Sequence, residues 1–467
     1  MGKKSKRMLR ELKVVDISTK GMGVAKDENG AVYFIKNTIP GDLVEAQIYK
    51  KRKGYFEAEP TQFLEKSPYR ITPECEHFGL CGGCKWQHLD YQKQLHYKEK
   101  GVLQNLSKTG KVTPTKIFPI LAAPEAYWYR NKLEFSFSNN RWLSTKEIER
   151  EEIYNRLGLG FHKPGRWDKI VSIERCHLQP DPSNQIRNAL FKFAMEEKIP
   201  FYDWHKNEGV LRNLMIRNTL AGEFMVLLQF FEDNIEVREK ALSFLRDTFP
   251  QITSLLYCIN QKANDSIYDQ DLILFSGKDH LIEQMDALRF KITAKSFYQT
   301  NPKQAYVLYQ LVSKWAALEG NEIVYDLYTG TGTIALFLAS NCKKVVGIES
   351  VPEAVEDAKY NANMNQIKNT YFESGDMKKL FNETFISRHG KPDIVITDPP
   401  RDGMHPNVVK QLLLLNAPKI VYVSCNSATQ ARDLALLSDQ YMVEQSQAID
   451  LFPQTGHVEN VVLLSRK

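Results

Sequence analysis

Ser424-Cys425-Asn426 follows the apolar run Ile420-Val421-Tyr422-Val423, so a thiol stands where a strand gives way to a loop. Such a strand end is where an open α/β sheet presents its chemistry. Taken alone, a cysteine there is more often a small core hydrophobe. Its company shifts the reading. Asp398-Pro399-Pro400-Arg401 ends the preceding apolar run, Asp326-Leu327-Tyr328-Thr329-Gly330-Thr331-Gly332 ends an earlier one, and His457-Val458-Glu459 precedes the last. Several strand ends therefore carry a nucleophilic sulfur, carboxylates able to move protons, or a glycine turn that lets backbone approach a ligand.

The elements that must position these residues are legible from about residue 289 onward. Glu322-Ile323-Val324-Tyr325-Asp326, Lys344-Val345-Val346-Gly347-Ile348-Glu349, Pro392-Asp393-Ile394-Val395-Ile396-Thr397-Asp398, Lys419 to Ser424, and Asn460-Val461-Val462-Leu463-Leu464 read as strands separated by helical stretches. Near-continuous Val/Ile runs spaced by helices predict a parallel sheet covered on both faces, a Rossmann-like layout. Gly330-Thr331-Gly332 after a strand is common to nicotinamide, flavin and S-adenosylmethionine (SAM) folds, and Glu349 ends the second strand where a ribose diol is held. No third glycine follows Gly332 to complete the dinucleotide pattern, which points away from NAD.

A chain of 467 residues is too long for one ordinary core and predicts about three domains. Residues 1–64 alternate short β-rich runs with turn signals such as Gly21-Met22-Gly23, Asn29-Gly30 and Pro40-Gly41-Asp42, which predicts a small barrel. Residues 65–288 read as mixed α/β, with the apolar strand Phe224 to Phe231 and a helix-like stretch from Tyr91 to Lys98 able to leave this segment and pack elsewhere. Cys75, Cys81 and Cys84 stand in a Cys-x5-Cys-x2-Cys pattern, with Cys176 further on. In a reducing compartment such thiols suit zinc or an iron-sulfur cluster, and spacing alone leaves zinc slightly ahead. Cys258 and Cys342 fall outside the pattern and read as core residues.

The formal charge of +6 is modest, but its distribution is informative. Lys3, Lys4, Lys6, Arg7, Arg10 and Lys13 crowd the start, and Lys50, Lys51, Arg52 and Lys53 stand close to Tyr55 and Phe56. Cations beside aromatics suit a nucleic-acid backbone with exposed bases. Arg130-Asn131-Lys132, Arg212-Asn213 and Arg217-Asn218 are further candidates for RNA backbone contacts. No run of about 20 apolar residues is present to span a membrane, and the basic start lacks the apolar region of a signal peptide, so the cytoplasm is the expected location. Nothing in the sequence points to an obligate protein partner.

Four segments of the C-terminal third, in order, resemble the RNA uracil-5-methyltransferases of the TrmA and RumA type. They are Ser296-Phe297-Tyr298-Gln299-Thr300-Asn301, Asp398-Pro399-Pro400-Arg401-Asp402-Gly403, Ser424-Cys425-Asn426 with Thr429-Gln430-Ala431-Arg432-Asp433, and Asp450-Leu451-Phe452-Pro453-Gln454-Thr455-Gly456-His457-Val458-Glu459. The N-terminal run resembles a TRAM domain, an OB-like RNA-binding module. The resemblance implies an α/β fold of three units: a TRAM-like barrel over 1–64, a central mixed α/β iron-sulfur domain over 65–288, and a Rossmann-like SAM-dependent catalytic domain over 289–467. It reverses the metal reading, since RumA-type enzymes carry a [4Fe-4S] cluster on this pattern; Cys75, Cys81, Cys84 and Cys176 are then its ligands. Contacts to SAM fall on Gln299, Tyr328, Thr333, Glu349, Asp376 and Asp398, with Thr333 standing where many relatives have Asn.

By matching position, Cys425 is the nucleophile and Glu459 the base. Uracil C5 is a poor nucleophile in the intact ring, so the reaction needs a thiolate adding to C6, a base for the C5 proton and stabilisation of charge developing at O4. Arg401 after Asp-Pro-Pro, where amine methylases carry an aromatic residue, agrees with carbon rather than nitrogen as the target. A stacked uracil hides its C6 face, so base flipping is expected. Barrel and cysteine pattern together favour 23S ribosomal RNA over transfer RNA. A cytosine-5-methyltransferase would leave Glu459 without a role, and a non-catalytic RNA assembly factor would leave both Cys425 and Glu459 without one.

Overall fold

The computed structural model describes residues 8–149, 155–380 and 382–467. Strands Met8–Ile17, Met22–Lys26, Val32–Lys36, Leu43–Arg52 and Tyr55–Glu65 close into a barrel. Alternation along each strand turns Val14, Ala25, Tyr33, Ile35, Val44, Ala46 and Ala58 inward as its core. Asp42, fully buried, ties the barrel to the chain that leaves it: its carboxylate accepts from the Ile39 and Ser67 amides at 2.8 and 2.9 Å and pairs with Arg70. Lys50, Lys51, Arg52 and Lys53 lie exposed at the tip between the last two strands. Lys3, Lys4, Lys6 and Arg7 lie outside the described residues, as does the side chain of Arg10.

The middle of the chain forms a seven-stranded sheet in the order Ile273–Gly277, Ile252–Ile259, Phe224–Phe230, Leu211–Asn218, Lys132–Ser138, Gly158–Lys163 and Arg166–Ser172. Helices Ser183–Glu196 and Ile235–Thr248 supply Ile186, Leu190, Leu242 and Leu245 to a core shared with Leu214, Ile216, Val226 and Leu228 of the sheet. The cationic and amide pairs offered above as RNA contacts do something else. Asn131, Arg212, Asn213, Arg217 and Asn218 are buried. Arg217 donates to the carbonyls of Thr293 and Ser296 at 2.8 and 3.1 Å, and Arg212 to that of Lys262 at 2.7 Å. The physical reason is that buried carbonyls outside a ladder must find donors, and a guanidinium offers five.

The C-terminal sheet has eight strands in the order Thr370–Ser374, Lys344–Glu349, Ile323–Leu327, Ile394–Thr397, Lys419–Ser424, Glu459–Arg466, Tyr441–Ile449 and Lys116–Leu121. The first five are mutually parallel; Glu459–Arg466 runs antiparallel to both its neighbours. Two features depart from the boundaries read in the sequence. Helix Tyr91–Gln104 leaves the middle segment, as its sequence allowed, and strand Lys116–Leu121 goes with it into the C-terminal body: Val102, Leu106 and Val112 enter its core, because the helix's apolar stripe needs a face to cover it. The 288/289 boundary falls inside the antiparallel pair Leu281–Met285 and Leu288–Ile292, whose Met285, Phe290 and Ile292 pack with Tyr298 and Leu308. Cys258 and Cys342 are core residues. Among the described residues no helix is long and apolar enough to cross a membrane.

Candidate active site

Strand order reverses between Ile323–Leu327 and Ile394–Thr397, so a crevice opens beyond their C-terminal ends. Asp398 leaves the second of these strands, and Tyr328 leaves the first in a left-handed conformation at φ 63. The turn then passes Gly330 at φ 56 and Gly332 at φ 80. Glycine is required at 332 on two counts: the φ is unfavourable for other residues, and a Cβ would stand 3.0 Å from that of Ala358 and 3.1 Å from the Phe372 ring. Thr329 donates its hydroxyl to Asp326 at 2.5 Å. Glu349, at the neighbouring strand end, accepts from the Gly330 amide at 3.1 Å, the Ser350 amide and hydroxyl at 2.7 and 3.0 Å and the Val351 amide at 3.0 Å, which fixes its carboxylate at the crevice.

Antiparallel pairing brings the thiol and Glu459 together. Ser424 is the register partner of Asn460, so the next residue in each direction sets Cys425 beside Glu459. A parallel strand in place of Glu459–Arg466 would put residue 459 at the opposite edge of the sheet. Cys425 precedes Asn426, whose side chain accepts from the Ala428 amide at 3.1 Å and caps helix Ser427–Leu437. The same side chain donates to the Arg401 carbonyl at 2.9 Å, and Thr429 donates to that carbonyl at 3.1 Å. The Asp-Pro-Pro-Arg loop is thereby held against the helix that follows Cys425.

The electrostatics of this group are dominated by desolvation. Burial, then the charges of Glu459 and Asp398, push the Cys425 thiol up to about 11, while Arg401 pulls it down. Burial and Asp398 hold the Glu459 carboxyl well above the usual range, again with Arg401 opposing. Asp398 is pushed up to about 7 by burial and Asp326, and Asp326 to about 7 chiefly by burial. Neither Asp326 nor Asp398 has an ion-pair partner among the described residues. A buried and a half-buried carboxyl without a cation leave this end of the sheet electrostatically suited to positive charge.

A cleft of about 390 Å³ next to this group is lined by Tyr328, Ser350, Asp376, Lys378, Pro400 and His405, among others. Asp376 accepts from the Lys378 amide at 3.0 Å at the start of a short helix. Tyr328 and Asp376 line this cleft, Glu349 lies within electrostatic reach of Tyr328, and Asp398 within reach of Asp326. Thr333 is bonded through its hydroxyl to Tyr309 at 3.2 Å, and the Tyr309 hydroxyl lies in the field of Asp398, Asp326 and Glu459. Gln299 is buried on a segment clamped from the central sheet, where Asn131 donates its side chain to the Gln299 carbonyl at 3.1 Å and its amide to that of Thr300 at 2.8 Å.

Several residues that build the site carry no recognisable sequence signal. Lys98, fully buried, donates to Asp450 at 2.6 Å and to the Phe452 carbonyl at 3.0 Å. Gln94 exchanges side-chain and backbone bonds of 3.0 Å with Gln454, and Tyr129 donates to the Pro453 carbonyl at 3.0 Å. Much of the long motif before Glu459 is therefore scaffold. It aims the carboxylate through residues that look like ordinary surface positions of a helix.

Cys75, Cys81, Cys84 and Cys176 lie within electrostatic reach of one another and burial pushes all four thiols upward, Cys81 to about 11 and Cys84 to about 12. Backbone amides point at them; that of Gly83 donates to Cys81 at 3.4 Å. As arranged, no three or more His, Cys, Asp or Glu side chains among the described residues are gathered closely enough to hold a metal ion. Four soft sulfur donors and amide hydrogens nonetheless have the chemistry of a thiolate-ligated centre.

The family model for tRNA (Uracil-5-)-methyltransferase matches residues 204–467, and that for the TRAM domain residues 6–61. An RNA methyltransferase of Bacteroides thetaiotaomicron is 51% identical over 96% of this chain and 99% of its own length. Another from Porphyromonas gingivalis is 47% identical over 97% and 99%, and one from Chlorobaculum tepidum 38% identical over 98% and 96%. Among solved structures, the tRNA (uracil-54, C5)-methyltransferase of Pyrococcus abyssi in complex with S-adenosyl-L-homocysteine superposes with a TM-score of 0.77 at 28% identity, over 98% of this chain and 100% of that one.

Proposed function

The chain belongs to the tRNA (uracil-5-)-methyltransferase family of SAM-dependent RNA methyltransferases, and from that premise we propose that it methylates C5 of a uridine in RNA through a transient bond between Cys425 and C6 of the base. The observation that carries this reading is the pairing of a thiol and a buried carboxyl across adjoining strand ends, with Arg401 acting on both. The Cys425 thiolate, its proton released to water, adds to C6, and the electrons of the C5–C6 double bond move toward O4. SAM held in the adjacent crevice would supply the electrophilic methyl group that C5 takes, with neutral S-adenosylhomocysteine as the leaving group. Glu459 then takes the C5 proton, the C6–S bond breaks, and the double bond re-forms. The raised pKa of Glu459 makes it a stronger proton acceptor once ionised. Arg401 favours the anionic form of both groups and so opposes the cost of burying them.

Tyr328, Glu349, Asp376 and Asp398 hold the cofactor in this reading, with Gln299 and Thr333 at its edges. The ionised forms of Asp326 and Asp398 suit its cationic groups. Cys75, Cys81, Cys84 and Cys176 hold a [4Fe-4S] cluster that braces the cysteine loop, since no step above needs an electron. The barrel, the middle sheet and the C-terminal sheet act as RNA-binding, bracing and catalytic units, with 91–121 and the pair Leu281–Met285 and Leu288–Ile292 serving the last of these.

The substrate is 23S ribosomal RNA on the strength of the barrel and the cysteine pattern together. Whole-length similarity to the Pyrococcus abyssi enzyme, whose substrate is tRNA, favours a tRNA uridine as the second reading. Nucleoside analysis of both RNAs from cells lacking this protein separates the two by which one loses 5-methyluridine. The chemistry is tested with labelled RNA and labelled SAM on denaturing gels. Cys425→Ala is expected to give neither adduct nor product, and Glu459→Gln to accumulate a slow band carrying both labels. Wild-type methylation by Cys425→Ala would overturn the mechanism.

A further inference from the structure

Three parts of the chain meet beside the motif that ends in Glu459. The barrel turn from Ser18 to Gly21 touches it directly: a Cβ on Gly456 would stand 2.5 Å from the Thr19 Cα and carbonyl oxygen. The cysteine loop touches both, since the Lys85 and Trp86 amides donate to the Gln454 carbonyl at 2.9 and 3.0 Å and the Trp86 indole donates to the Ser18 carbonyl at 3.2 Å. A Cβ on Gly21 would meet the Lys85 Cβ at 2.8 Å. The hairpin between strands Gly158–Lys163 and Arg166–Ser172 closes the group, with the His162 carbonyl 3.3 Å from where a Gly82 Cβ would stand.

Each part brings a lysine. Lys36 of the barrel lies over the Tyr49 ring at 4.1 Å and pairs with Glu59. Lys85 comes from the cysteine loop. Lys163 of the hairpin lies over the Trp142 ring at 5.2 Å and reaches the Leu80 carbonyl at 3.3 Å. Lys36 is the register partner of Met22, next to the Gly21 that abuts Lys85, and Lys163 reaches the same cysteine loop; burial, then the charges of Lys85 and Lys36, lower the pKa of the Lys163 ammonium. Among the described residues neither Lys85 nor Lys163 has a carboxylate partner. Such convergence is unfavourable unless an outside anion relieves it, and Lys163, whose ammonium has three donors, spends two of them only on long bonds to the Gly79 and Leu80 carbonyls at 3.5 and 3.3 Å. Trp167, 63% exposed just past the hairpin tip, offers a flat apolar ring for a base.

We propose that Lys36, Lys85 and Lys163 form a seam that binds consecutive phosphates of the substrate RNA and leads its backbone from the barrel to the mouth of the active site. The proposal rests on the RNA-methyltransferase reading above and adds where the strand runs. It also gives the cysteine loop a task in binding, because that loop sets Lys85 between the barrel and the catalytic motif.

The test is the salt dependence of binding to 23S ribosomal RNA and to tRNA, each purified from cells lacking this protein. For the Lys36→Gln, Lys85→Gln, Lys163→Gln triple variant, three lost phosphate contacts lower the slope of log affinity against log salt by about 2. Between about 50 and 200 mM salt the wild type then loses roughly 20-fold more affinity than the variant. Lys163→Gln alone, at a hairpin tip, is expected to lower the slope by about 0.7, and Lys163→Arg to retain it. Lys192→Gln, on an exposed helix position, is expected to change nothing. A wild-type slope in the triple variant with SAM binding intact overturns the seam. Loss of bound iron with an unchanged slope overturns it too, and assigns the lysines to the charge of the cysteine centre instead. Failure of the wild type to bind either RNA or form 5-methyluridine would sink the underlying reading and the seam with it.

Discussion

The reactivity of Cys425 toward a small neutral alkylating agent should report its burial directly. With the thiol pushed up to about 11, only about 0.1% is thiolate at pH 8, against roughly a quarter of an exposed cysteine of pKa about 8.5. Thiolate content alone therefore slows alkylation roughly 200-fold. The more basic sulfur recovers about tenfold through its higher intrinsic nucleophilicity, leaving a net deficit of roughly 20-fold. The rate should rise tenfold per pH unit and level off only near 11. Glu459→Gln removes the largest charge opposing the thiolate, so its profile should move toward acid by about one pH unit. Arg401→Gln should move it the other way, by less, because Arg401 is exposed to solvent. Peptide-resolved mass spectrometry separates Cys425 from the six other cysteines. A midpoint near 8.5 in the wild type, or no acid shift in Glu459→Gln, would refute the burial and pairing on which the mechanism rests.

Anaerobically purified protein should be brown and carry about four irons and four sulfides per chain, with Cys176→Ser losing both colour and stability; stoichiometric zinc without iron would contradict the cluster. Lys98→Met leaves Asp450 buried and unpaired, which should cost about 3–5 kcal/mol in denaturant unfolding, and adding Asp450→Leu should recover most of it. An unchanged unfolding midpoint in the single variant would show that the pair does not brace the catalytic loop.

The catalytic half was legible because its signals are local. Val/Ile runs of strand length, a glycine turn after Asp326 and a thiol after Val423 each occupy a few consecutive residues, and backbone sterics and burial act on that scale. Cys425 and Glu459 stand out in sequence as candidates by their surroundings and by the family resemblance, and antiparallel pairing of the last strand sets them side by side. The barrel was legible for the same reason, through turns and alternation.

Arg217 and Asn131 show where local reading stops. In sequence they are polar surface residues next to a strand; in the fold they are buried clamps on the segment carrying Gln299. Strand Lys116–Leu121 reads as part of the middle segment, yet it completes the catalytic sheet beside Tyr441–Ile449, and helix Tyr91–Gln104 reaches the catalytic core with it. Local sequence was enough to show which elements form and which side chains are candidates for chemistry, because those depend on neighbours within a few residues. Only the tertiary structure decided which polar residues are buried as supports. Lys98 and Asp450 stand 352 positions apart, and a bond between such residues depends on how whole elements pack, which no short stretch of chain encodes.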